Sequence, residues 1–113
     1  MNGMADEMIL EYLRCNHAGE ENAATSKELE VAFSLSNRKI RHVVSNLRGK
    51  NHPVCSSDRG YFYSDKPEEI TRCIRQLEHR AKKITKVKNG LKKALQSLEQ
   101  EGKPHEISLF EQC

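Results

Sequence analysis

The sequence predicts a mainly α-helical chain with one small β-hairpin and a long C-terminal helix. Three observations predict it. Apolar residues recur at helical spacing in short stretches of the first fifty residues, β-favouring residues flank a glycine-containing turn within 53–63, and an apolar seven-residue repeat runs from Ile70 to Leu98.

Met4, Met8, Ile9, Tyr12 and Leu13 recur with helical period, with Asp6, Glu7 and Glu11 on the other faces, so an amphipathic helix is expected over about 4–15. Residues 16–25 have no apolar period and carry Gly and Asn, which reads as a connection. Thr25 and Glu28 have the spacing of a capping box, and the short helix they start should turn Leu29 and Phe33 inward. Ser36 can cap a further helix in which Ile40, Val43, Val44 and Leu47 share one face, ending near Gly49. Pro53-Val54-Cys55, a polar turn at 56–60 and Tyr61-Phe62-Tyr63 read as a hairpin with one face buried. With aromatics at 5% of the chain, closing a small core is the better reading of these three than a stacking platform for single-stranded bases. Asp65 can cap the last helix, and Pro67 suits its first turn, where a missing N–H costs nothing.

From Pro67 to about Gln100 the helical pattern would extend roughly 50 Å, whereas a domain of this size has a radius of gyration near about 13 Å. Its far half is therefore expected to protrude. Ile70, Leu77, Ile84, Leu91 and Leu98 are spaced by sevens, and Ile74, Ala81 and Leu95 form a second track interrupted by Lys88. Such a seam needs a partner, and the economical one is the same helix of a second copy, which implies a homodimer. The alternative is a break at Asn89-Gly90 that folds 91–100 back. Residues 101–113 read as a flexible tail, although Ile107, Leu109 and Phe110 could form a docking strand.

The net charge of +3 conceals a segregation: residues 36–95 carry 16 Lys/Arg against 5 Asp/Glu, while the segments on either side are acidic. Cys15, Cys55, Cys73 and Cys113 form no Cys-x-x-Cys pair and have no His at ligand spacing, so neither a metal nor a cofactor is expected. Cys55 and Cys73 read as small buried apolar groups. The acidic N-terminus and the lack of a long apolar run suggest a cytoplasmic chain without membrane association. Glu20-Glu21 and Glu68-Glu69 are adjacent pairs that would not converge on one site, and no nucleophile grouping or phosphate-binding loop is visible, which argues against an enzyme. No small-molecule effector can be read.

The order helix, connection, helix, tight turn, helix, hairpin over residues 4–64 resembles the winged helix-turn-helix DNA-binding family, in particular phage and bacterial regulators or replication accessories. Leu29, Phe33, Leu35, Ile40 and Val43 match its apolar skeleton, and Leu47-Arg48-Gly49-Lys50 with Pro53-Val54 and Gly60-Tyr61 resemble its passage into the wing. Glu30 and Ser34 depart from it, standing where the motif commonly carries a small residue and Gly. The resemblance implies a DNA-binding domain over 1–66, followed by a basic dimerisation helix over 67–100.

A helix fits the major groove of B-DNA, so the face opposite its buried stripe must carry donors. Asn37, Arg38, Arg41, His42 and Ser45 meet that requirement, and 37–50 carries five basic residues and no acidic one. Arg38 is the candidate for a guanine edge, because its planar fork pairs with both acceptors. Arg41, Ser45 and Arg48 are candidates for phosphates, His42 for a base or the backbone, and Lys50 for a further DNA contact. Arg59 at the hairpin tip is placed to reach the minor groove or a phosphate. Lys82, Lys83 and Lys86 form either a second phosphate-tracking surface or a plain solvated face. The function expected is sequence-specific binding of double-stranded DNA by a homodimeric transcriptional regulator. The alternatives are a replication or partition accessory of a phage or mobile element and a winged-helix protein-interaction module.

Overall fold

The computed structural model describes residues 2–101, in which the elements follow as α1 (Asn2–Asn16), a single 3-10 turn (Glu20–Asn22), α2 (Ser26–Phe33), α3 (Asn37–Gly49), β1 (Val54–Ser57), β2 (Gly60–Tyr63) and α4 (Pro67–Glu101). The chain is thus mainly helical, with a two-stranded antiparallel sheet and a long final helix. It divides into two compact units, Met1–Arg75 and Gln76–Cys113. The tail expected over 101–113, with its possible docking strand, lies outside the described residues except for Glu101, which still belongs to α4.

Local signals place α2 and α3. The Thr25 hydroxyl accepts from the Glu28 N–H at 3.1 Å while the Thr25 N–H donates to the Glu28 carboxylate at 2.8 Å, so both halves of the capping box form. The helix stops at Ser34, held in the left-handed conformation with φ 53°. Two residues later Ser36 accepts from the Lys39 N–H at 3.2 Å and starts α3. α3 ends at Gly49, as expected, but the glycine is not its left-handed stop. Gly49 is still helical, and the left-handed residue is Asn51, after which the His52 N–H donates to the Leu47 carbonyl.

The main core joins Ile9 and Leu13 of α1, Ala24, Leu29 of α2, Val54 of β1, and Ile40, Val43, Val44 and Leu47 of α3. Phe33 closes its edge, half-buried. The phase of α1 differs from expectation. Asp6, expected on a polar face, is buried, whereas Met4 and Met8 are 68% and 54% exposed. The buried line passes through residues 6, 9 and 13, and Met8 lies about 100° round the helix from Ile9.

The hairpin pairs Val54 with Tyr63, Cys55 with Phe62 and Ser56 with Tyr61. Both of its faces are covered, not one: Tyr61 and Tyr63 pack on the main core, while Phe62 is buried with Cys55 and Cys73. The connection over 16–25 also contributes more than a loop. Ala24 exchanges two backbone hydrogen bonds with Tyr61, at 2.7 and 2.8 Å, and Ala18 bridges to Tyr63, so extended residues cover the free edge of β2. That approach needs Gly60, whose φ is 129° and where a Cβ would overlap the Ala24 carbonyl.

Ser64, and not Asp65, organises the start of α4. Its hydroxyl accepts from the Lys66 N–H at 3.1 Å and donates to Glu69 at 2.6 Å, and the other Glu69 oxygen accepts from the Glu20 N–H at 3.1 Å. Ile70 was expected on the dimer seam. It packs instead, with Cys73, against Cys55 and Phe62, which carries the first unit past residue 66 to Arg75. Beyond it α4 runs through Asn89-Gly90 without a break, so the folded-back alternative is not adopted. No helix among the described residues is long and apolar enough to cross a membrane.

Two glycines should respond oppositely to alanine. Gly60→Ala should lower stability by about 2 kcal/mol, because backbone must move to admit the Cβ. Gly90→Ala meets open space and should raise the helicity of α4, stabilising it by up to about 1 kcal/mol. Urea unfolding followed by circular dichroism measures both.

The Ser64 hydroxyl, and after it the Glu20 N–H, hold the Glu69 carboxyl below the usual carboxylate range. A depressed folded value stabilises above the ordinary carboxylate range, and that stability is lost as pH falls through the folded value. Glu69→Gln should therefore cost about 1 kcal/mol at neutral pH, with the gap to wild type closing on acidification. Urea midpoints measured across a pH series check this.

Candidate nucleic-acid interface

The burial of α3 decides what it presents outward. With Ile40, Val43, Val44 and Leu47 all 2% exposed or less, the opposite side must face solvent. Arg38, Arg41, His42 and Ser45 are exposed there, spanning about 10 Å of helix rise. No carboxylate lies between Asn37 and Lys50, so this strip is cationic along its length. Lys50, just past the helix, and Arg59, in the hairpin turn, are exposed as well. The three candidate lysines Lys82, Lys83 and Lys86 are exposed on α4 in the second unit, with Lys82 and Lys86 one turn apart on the same face.

Two residues expected to touch DNA are engaged within the chain. The Asn37 amide donates to Ser26 Oγ at 2.7 Å and to the Glu30 carboxylate at 3.4 Å, and Ser26 itself donates to Glu30 at 3.0 Å. This network ties the start of α3 to α2, and it gives Glu30, one of the two departures from the motif, a structural task. Arg48 is half-buried and holds the hairpin: Nε donates to the Val54 carbonyl at 2.7 Å, and Nη2 donates to Ser56 Oγ at 3.1 Å and to Cys73 Sγ at 3.6 Å. Arg48 thus braces the strip from its part-buried side, whereas Asn37, tied to α2, remains exposed at the start of the strip. Nothing in the spacing of 37–50 distinguishes Arg48 from Arg41. The difference arises only when β1 brings the Val54 carbonyl alongside.

The thiols beneath Arg48 are buried. Burial, with Cys73 beside it, pushes the Cys55 thiol up to about 12, so it stays protonated and weakly nucleophilic at neutral pH. Among the described residues no group of His, Cys, Asp or Glu side chains is gathered that could hold a metal ion. The chemistry of the exposed strip is hydrogen-bond donation and positive charge. No protein-family model, characterised protein or solved structure matches the chain.

Removing the Arg48 guanidinium would leave the Val54 carbonyl without its partner. Arg48→Ala should cost about 1–3 kcal/mol. Arg48→Lys should not restore the loss, since a single ammonium cannot reproduce the fork that spans Val54 and Ser56. Chemical denaturation of the two variants beside wild type measures the effect.

Proposed function

We propose that this chain binds double-stranded DNA sequence-specifically through α3, as a homodimer paired along α4, and regulates transcription in the manner of winged helix-turn-helix proteins. The observation that carries the reading is the exposed, acid-free face of α3, in which Arg38, Arg41, His42 and Ser45 stand opposite a fully buried stripe. A helix so mounted can lie in a major groove with its donors toward the base edges.

Two features of the fold support the family reading. Ser34 adopts the left-handed conformation at the position where the helix-turn-helix commonly carries Gly, which is the residue that conformation favours. The hairpin follows α3 directly, locked to its last turn by Arg48, as a wing must be if Arg59 is to contact the same duplex. In this reading Arg38 pairs with a guanine, Arg41, Ser45 and Lys50 hold phosphates, and His42 lies at a base or the backbone. Lys82, Lys83 and Lys86 add a second phosphate-tracking surface. The dimer is supported by the apolar seam of α4, where Leu77, Ile84, Leu91, Leu95 and Leu98 are all exposed.

Base reading and phosphate holding separate experimentally, because only the first depends on sequence. After selection of a preferred duplex, Arg38→Ala should cost about 1–3 kcal/mol on that site and much less on random DNA. The double variant Lys82→Ala/Lys86→Ala should weaken both duplexes alike, and its slope of log affinity against log salt should fall by about two. Equal losses on both DNAs for Arg38→Ala would make that residue a backbone contact. Absence of duplex binding by wild type at low salt would overturn the reading in favour of a protein-interaction module. Genome-wide mapping of bound sites, at promoters or at a replication origin, tests the regulatory role.

A further inference from the structure

The seam of α4 carries information about direction as well as pairing. Within the second unit one track holds Leu77, Ile84, Leu91 and Leu98, and the other holds Ala81, Lys88 and Leu95. The residues flanking them differ in character. On the side of Arg80, Val87 and Ala94 the flank is largely apolar, and on the side of Glu78, Thr85, Lys92 and Glu99 it is polar. All of these side chains are exposed in the chain, so a second copy can reach every one of them.

A parallel, in-register pair uses this pattern badly. Each residue of the tracks would face itself, which sets Lys88 against the partner's Lys88 inside the seam. The two flanks would face each other, bringing Val87 to the partner's Lys92 and Ala94 to the partner's Glu99, with no oppositely charged pair formed. An antiparallel pair centred on residue 86 resolves each of these conflicts. Leu77 then meets the partner's Leu95, Ala81 meets the partner's Leu91, and Ile84 meets the partner's Lys88, whose ammonium can reach water along its flexible stem. Like flanks now face like: Val87 packs on the partner's Val87, and Glu78 lies beside the partner's Lys92 twice, by symmetry. Sliding the antiparallel pair by one heptad moves Glu78 to the partner's Glu99 in one direction, setting like charges together, and in the other moves it to the partner's Thr85 and shortens the overlap.

Resting on the homodimer of the proposed function, we infer that two copies pair antiparallel along α4, in the register that joins Leu77 to the partner's Leu95 and Glu78 to the partner's Lys92. The two chains then enter the paired region at opposite ends. Gln76 of each copy stands about 30 Å along the axis from its counterpart, twenty residues of helix rise.

Cysteine cross-linking reads the direction. In a background with Cys15→Ser and Cys113→Ser, one protein carries Leu77→Cys and a second, distinguishable by a size tag, carries Leu95→Cys. In a glutathione redox buffer the mixture should yield the disulfide-linked heterodimer, and each variant alone should stay unlinked. Linkage of Leu77→Cys to itself would overturn the antiparallel pairing. A charge exchange reports on the same geometry without touching the apolar tracks. Glu78→Lys should loosen the dimer about fivefold through the two exposed pairs lost, and adding Lys92→Glu should restore it. Failure of the second change to restore affinity would also overturn the register. Sedimentation of wild type at tens of micromolar separates the two levels: a monomer there sinks the homodimer itself, whereas a dimer that cross-links in the wrong pairs sinks only the orientation.

Discussion

Four side chains on one face of α3, Ile40, Val43, Val44 and Leu47, are the point at which α1, α2 and the hairpin converge. A unit of this size has little apolar material, and burial of a Val, Leu or Ile side chain contributes about 1.5–3 kcal/mol. The stripe therefore decides which way α3 faces. Rotating the helix by one residue would carry Ile40 and Leu47 toward water and bring Arg41 inward. The cationic face is outward because the apolar face has no alternative.

The hairpin depends on that helix through polar contacts. Arg48 leaves the last turn of α3 and satisfies the Val54 carbonyl, Ser56 and the Cys73 sulfur together, so one guanidinium joins α3, β1 and the first turns of α4. On its other edge β2 is held by Ala24 and Ala18, an arrangement that Gly60 alone makes sterically possible. Asn37, Ser26 and Glu30 do for the start of α3 what Arg48 does for its end. The strip between them is thus fixed at both ends by side chains bonded back into the chain.

Along α4 the apolar residues meet two different surroundings. Ile70 and Cys73 turn toward Cys55 and Phe62 and complete the first unit, whereas from Leu77 onward the apolar track is exposed. The heptad pattern is unbroken across this change, since period alone does not record which surface a residue meets. In the proposed dimer Lys88, which interrupts the second track, would favour one direction of pairing over the other.

What the amino-acid sequence determined by itself was local. The capping box at Thr25 and Glu28, the Ser36 cap, the buried stripe of α3, the hairpin and the length of α4 all depend on residues within a turn or two of one another, and each is in the structure as its spacing implied. Tertiary structure alone decided the rest. Arg48 and Asn37 became internal ties, Asp6 went inward while Met4 and Met8 stayed out, Ser64 took the place expected of Asp65, and Ile70 left the seam. Each of these outcomes depends on groups distant in the chain. A long polar side chain bonds to whichever backbone group folding leaves unpaired beside it, and an apolar one is buried by whichever element arrives, neither of which a local period can encode.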